Sequence, residues 1–237
     1  RGEMEANAKA KVFWVCVFAS LGGLLFGLDQ GFINGSLGFI QKTFHWTTAQ
    51  GESFASIILI GAIIGAFLSG FISKAMGRKN TLLLAAFFFF VFTLWGSATD
   101  SSLVLHLTRV CLGLAVGCAS FVVPLYLSEM APAKLRGGFI SLYQFTITIG
   151  IFSIYVSNTL ISKVHTGTDP WRLMLGVISI PAVIMLICVV TIPKSPRWLM
   201  LKGREKEAES VLLRTRETDG EVKKELTEIK ESLKQEK

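Results

Sequence analysis

The stretch VFWVCVFASLGGLLFGLDQGFINGSL, residues 12–37, holds a single charged residue, Asp29. A helix needs about 20 mostly apolar residues to cross roughly 30 Å of hydrocarbon, and this stretch is long enough. It is too long for a cleaved signal peptide, carries a carboxylate and lacks a small-residue cleavage site. It therefore reads as a membrane span. Gly23, Gly27, Gly31 and Gly35 recur every fourth residue along it. Glycines so spaced share one helix face and allow a neighbouring backbone to approach closely, which is how helices associate in lipid.

Five further stretches are as apolar: 53–73, 81–98, 103–127, 139–161 and 173–192. Over the whole chain 51% of residues are hydrophobic, 17% are charged and mean hydropathy is +0.54. About half of the charge lies beyond Lys194. Such a chain cannot cover a water-facing surface. The expected fold is all-α, with six transmembrane helices followed by short soluble helices. Three regions follow: an N-terminal segment 1–11, a six-helix bundle 12–193 and a soluble helical segment 194–237. In that last segment Ser195 is an N-cap with Pro196 at the first helical position, and Gly203 is a stop. A second helix is expected over 205–216. Thr218 or Asp219 caps a third, on which Val222, Leu226, Ile229 and Leu233 form an apolar stripe. That stripe either packs on the ends of the spans or meets a partner.

Positive charge orients the spans. Lys9 and Lys11, then Lys74, Arg78 and Lys79, then Lys134 and Arg136, then Lys194 and Arg197 fall at one end of the bundle, with Lys42 and Lys163 the exceptions. Both termini are therefore expected in the cytoplasm, with the protein multi-pass in the plasma (inner) membrane. Trp46, Trp171 and Trp198 sit near span ends, as interfacial anchors do. The net charge of +7 follows from the basic loops and calls for no nucleic acid.

Asp29 is the most informative residue. A carboxylate within a span costs several kcal/mol unless paired or hydrated, and Arg109 in the fourth span is the matching cation. The pair reads either as static packing or as a proton-linked switch. Burial disfavours the carboxylate's charge and the arginine favours it, so the group is chemically able to exchange a proton. The first and fourth spans each carry a charge and a glycine ladder (Gly113 and Gly117 in the fourth), which fits two inverted three-helix repeats. Glu129, beside basic Arg78 and Arg136, fits either a latch or solvated charges. Gln144 lies a few residues into the fifth span, and its amide can bond a neighbouring helix or a sugar hydroxyl. Gln30, Asn34 and Asn158 are weaker candidates of the same kind. The cysteines Cys16, Cys111, Cys118 and Cys188 all lie in spans and read as packing residues. No catalytic set, metal-ligand spacing, cofactor motif or phosphate loop is present, and no enzyme is expected.

Three motifs resemble the sugar porters of the major facilitator superfamily. They are Phe26-Gly27-x-Asp29; Pro124-x-Tyr126-x-x-Glu129-x-x-Pro132-x-x-x-Arg136-Gly137, followed by Ser141 and Gln144; and Pro193-Lys194-Ser195-Pro196-Arg197-Trp198-Leu199. The resemblance implies half of a twelve-helix fold that works by alternating access. It implies Asp29 as the proton-coupling carboxylate with Arg109 as partner, and Gln144 as a sugar contact; Phe26 and Gln30 are further candidates for substrate binding. Arg78, Glu129, Arg136 and Arg197 would form a cytoplasmic gate. Two positions depart from the pattern: Lys74 stands where the family has an acidic or amide residue, and Lys194 where it has a glutamate. The expected function is the N-terminal half of a proton-coupled sugar symporter that needs a second half, either a separate chain or another copy. The alternatives are a non-transporting remnant or regulatory membrane subunit, and transport of inositol or another small organic solute.

Overall fold

The computed structural model describes residues 2–167 and 169–237. Among these, every regular element is a helix. The chain runs through α1 (Gly2–Ser20), α2 (Gly22–Phe44), α3 (Thr48–Met76), α4 (Arg78–Ala98), α5 (Ser102–Met130) and α6 (Arg136–Val164). It continues through α7 (Pro170–Gly176), α8 (Ser179–Val190), α9 (Pro196–Leu201), α10 (Glu205–Thr215) and α11 (Asp219–Gln235). Six stretches of the described residues are long and apolar enough to cross a membrane: Gly2–Phe44, α3, α4, α5, α6 and Pro170–Val190. Six crossings put both ends of the bundle's path on one side, called here the tail end, and the other side is the far end.

The first span is longer than the hydropathy pattern indicates. Helix begins at Gly2, within the segment expected to precede the bundle, and α2 continues past residue 37 to Phe44. It stops where His45 turns into the left-handed region (φ 55°) and returns its N–H to the Gln41 carbonyl, a common C-terminal cap. α3 then starts on a capping box, in which Thr47 and Gln50 satisfy each other's backbone N–H. Two spans are interrupted. α1 and α2 are joined through Leu21 beside Gly22 and Gly23, both weak helix formers. α7 and α8 part at Val177–Ile178, four residues before Pro181, whose ring nitrogen cannot bond back to Val177. At the tail end α3 turns directly into α4 at Gly77, whose φ of +92° other residues rarely adopt.

Helix packing follows the glycines. α3 packs most extensively on α5, and α2 on α6. A Cβ on Gly27 would meet the Ile147 carbonyl oxygen, and one on Gly31 the Ile154 side chain. On the other pair, Gly61 faces the Val110 carbonyl, Gly65 that of Leu114 and Gly117 that of Ala62. These two contacts exchange under the expected repeat: span one on span five matches span four on span two. α4 packs on α7 and α8, the third members of the two repeats. The result is a layer in the order α3, α5, α2, α6, backed by α4, α7 and α8.

Gly117→Ala is expected to destabilise the bundle by about 1–3 kcal/mol, because the added methyl meets fixed backbone. Gly38→Ala, with nothing within 4 Å of the new atom, is expected to be neutral or to stabilise by up to about 1 kcal/mol. Unfolding midpoints in detergent micelles would compare the two.

Candidate functional site

Asp29 on α2 and Arg109 on α5 meet in the middle of the layer. Arg109 Nη1 donates to Asp29 Oδ1 at 2.6 Å, and both side chains are at most 5% exposed. The guanidinium lies 5.8 Å from the centroid of Phe54, which adds a cation–π contact. Arg109 Nε is buried without a partner among the described residues. On the far side the pair is roofed by aromatic rings: Phe54 lies against Trp46 and His106, and Trp46 stacks on Phe44. The pair is thus shut off from the far end and bonded through one direct contact.

The sugar-contact candidates lie on the open side of the layer. Gln30 and Gln144 are exposed and Phe26 is half-buried. Gly23 lies against Tyr143 and Thr146, and Gly27 against Ile147, so α2 and α6 run parallel and Gln144 sits one to two turns to the tail side of Asp29. Asn34 is exposed one turn beyond Gln30. Asn158 is different: it is buried, packs on Gly35 and donates to the Phe32 carbonyl at 3.4 Å.

At the tail end Arg78 grips Glu129 bidentately, Nη2 to Oε1 at 2.9 Å and Nε to Oε2 at 3.0 Å. Arg78 Nη1 donates to the Ser73 carbonyl, and Ser195 Oγ donates to Glu129 Oε2. Ser195 also caps α9, accepting from the Trp198 N–H. Tyr126 Oη donates to the Pro193 carbonyl at 2.7 Å, and Trp198 Nε1 to the Lys74 carbonyl at 3.0 Å. The motif residues of the fourth span and of the segment after the sixth therefore close on one another. Arg136 and Arg197 are at the same end but outside this cluster. Arg136 donates to the Ala131 carbonyl, and Arg197 pairs with Glu236 on α11. Exposed Lys74 and half-buried Lys194, the latter 5.9 Å from the Trp198 centroid, make no ion pair among the described residues.

Two features escape a reading of the sequence. Trp171 and Trp198 are not interfacial anchors, being 0% and 6% exposed. Trp171 Nε1 donates to Thr43 Oγ1, tying α7 to the end of α2. Beside it Arg172 donates to the Ser97 and Thr99 carbonyls and pairs with Asp100, clamping the far-end loops together. A lone arginine at the weakly basic far end was the available signal. The second feature is Arg216, whose side chain is 1% exposed. It pairs with Glu225 at 2.5 Å and donates to the Met130 carbonyl at 2.9 Å, docking the tail helices under α5. Nothing local in the sequence separates Arg216 from its solvated neighbours. The α11 stripe packs inward, with Val222 buried and Leu226, Ile229 and Leu233 half-buried.

Residues 15–237 match the family described as Sugar (and other) transporter. The chain is 51% identical over 225 residues to the galactose-proton symporter of Escherichia coli (strain K12), which covers 95% of this chain and 48% of that protein. It is 46% identical over 221 residues to the arabinose-proton symporter of the same strain, covering 93% and 46%. A solved structure of the major facilitator superfamily proton:xylose symporter XylE, bound to 6-bromo-6-deoxy-D-glucose, superposes with a TM-score of 0.90. That match has 31% identity and covers 95% of this chain and 54% of that one. The chain spans about half the length of the curated relatives it matches. These relatives are named as carriers, not enzymes.

Glu129→Gln leaves Arg78 buried without a counter-charge. The expected loss is on the order of 3 kcal/mol, the cost of breaking a buried pair from one side. It would be read as a lower unfolding midpoint and faster hydrogen exchange in α9. Lys206→Ala, at an exposed position away from the cluster, should leave both unchanged.

Proposed function

The chain belongs to the sugar (and other) transporter family, and from that premise we propose that it is the N-terminal half of a proton-coupled sugar symporter that works by alternating access. The observation that carries the reading is the Asp29–Arg109 pair. It is buried, held by a single direct hydrogen bond, and set beside an open face bearing Phe26, Gln30 and Gln144. Protonating Asp29 removes the charge that holds Arg109. The arginine then loses its one counter-ion among the described residues, and α2 and α5 are released from one another. Gln144 and Gln30 offer donors and acceptors to sugar hydroxyls, while Phe26 offers an apolar ring face.

The remaining assignments follow from this reading. The tail end carries most of the lysines and arginines of the loops and faces the cytoplasm of the plasma (inner) membrane. The Arg78–Glu129 pair is the cytoplasmic latch, with Arg136 and Arg197 at the same end to re-pair as the latch opens. The facing wall of the cavity comes from six further helices, on the same polypeptide, a separate one or a second copy. The galactose-proton relative favours a hexose over a pentose as the sugar.

Proteoliposomes test this. The chain, reconstituted with the complementary half of its 51% identical relative, is expected to accumulate labelled galactose under an inward proton gradient. Asp29→Asn should abolish accumulation while sparing sugar exchange across the membrane; accumulation that survives would make Asp29 structural. Gln144→Ala should raise the half-saturating sugar concentration by about tenfold, the worth of one or two hydrogen bonds. Neither uptake nor sugar binding by the reconstituted pair would overturn the proposal in favour of a non-transporting membrane subunit.

A further inference from the structure

A charged cleft lies away from the central pair. It is a cleft of about 810 Å³ at the tail end, between the ends of α3, α4 and α5 and the helices α9 and α11. Its three carboxylates are all engaged: Glu129 by Arg78, Glu236 by Arg197 and Glu205 by Lys230. Lys74, Lys234 and Lys237 also line the cleft. No carboxylate lies within 4.0 Å of these three lysines among the described residues. The charges of Lys74 and Lys234 are therefore uncompensated in one concave space. They come from opposite walls, Lys74 from the last turn of α3 and Lys234 from the last turn of α11. Like charges held across a cleft repel, and an anion between them removes that cost.

We propose that this cleft binds a phosphate group and that occupancy fastens α11 to the bundle. The chemistry selects the ligand class. A neutral sugar gains nothing from unpaired ammonium groups. A phosphate brings up to two negative charges and several acceptor oxygens to donors carried by different helices. Apolar Leu125, Met200, Leu201 and Leu233 form the rest of the wall, so a phosphate carrying an apolar portion also fits. Leu125 belongs to a membrane span and Lys74 to a span end. The cleft therefore opens at the height where the bundle meets water, where phospholipid phosphates lie, and the soluble tail helices leave it open to dissolved phosphate compounds as well. Such binding depends on charge and position alone, whether or not the chain carries sugar.

The test uses the purified full chain in detergent with two probes. Native mass spectrometry compares retention of phosphatidylglycerol and phosphatidylcholine, and thermal unfolding compares sodium pyrophosphate with sodium chloride at equal ionic strength. Preference for phosphatidylglycerol of about thirtyfold, the worth of two surface lysines at about 1 kcal/mol each, identifies a lipid headgroup as the source. A midpoint raised by pyrophosphate identifies a soluble phosphate. In either case Lys74→Ala/Lys234→Ala should remove the effect and Lys206→Ala/Lys224→Ala, exposed outside the cleft, should not. If the cleft double variant does not fold, the single variants Lys74→Gln and Lys234→Gln should each lose part of the effect. The proposal is overturned if the wild-type chain shows neither effect, if the cleft variants keep it, or if the control pair loses it equally.

Discussion

Helices in hydrocarbon gain little from hiding apolar surface from one another, so their association depends on how closely backbones approach. In this chain the approach is set by glycines on α2, α3 and α5 that rest against carbonyl groups of the opposing helices. The α2–α6 and α3–α5 contacts are the consequence. Once they form, α2 and α5 are the inner helices of the layer, and only there can Asp29 and Arg109 reach each other. A larger residue on either glycine face would push apart the helices that hold the charges. The ion pair thus depends on a packing choice made elsewhere, on residues that carry no charge.

The two buried ion pairs are satisfied to different degrees. Arg78 and Glu129 share three hydrogen bonds, and each has a further partner, the Ser73 carbonyl and the Ser195 hydroxyl. Arg109 and Asp29 share one, and Arg109 Nε has no partner among the described residues. In a low-dielectric interior a partly satisfied group is costly and a fully satisfied one rigidifies its surroundings. Changing the charge of Asp29 therefore disturbs fewer bonds than opening the tail-end cluster does. That cluster ties α3, α4, α5 and α9 together, and it yields only when several groups move at once. This ordering suits a trigger at the centre and a latch at the end.

The sequence is most legible where lipid constrains it. Twenty apolar residues in a row have few structural options, so the six spans and their order could be read directly, as could the central charge pair, since an isolated Asp29 would be too costly. Span ends were less legible. His45 and Thr47 set the end of one helix and the start of the next by cap geometry, and this moved the boundary well past the last apolar run. Least legible were the partners of the tail arginines. Arg197 and Arg216 sit among many similar charges, and which acid each meets is decided by how α9, α10 and α11 dock. Trp171 and Trp198 were misplaced for the same reason. A tryptophan at a span end suits the interface, but each here is buried and has an acceptor in the protein, Thr43 Oγ1 or the Lys74 carbonyl, for its N–H.

The exposed faces of the bundle divide in a way that lipid alone does not explain. On α4 and α8 the large exposed side chains are apolar: Phe87, Phe88, Leu94 and Trp95, then Ile180, Ile184 and Ile187. α6 is different. Phe145, Ile149, Val156 and Leu160 form one exposed row, and Ser141, Gln144, Thr148, Tyr155 and Thr159 form another beside it at helical spacing. A hydroxyl can turn back to its own helix, as Thr148 does to the Gln144 carbonyl, but the Gln144 amide cannot be satisfied this way so far from water without cost. The polar row continues across α2 through Gln30 and Asn34. A membrane span tolerates such a row where it borders water or protein. The apolar row of α6 then marks where that shelter ends, and the polar side of the α2–α6 pair marks the wall that a second set of helices would have to face.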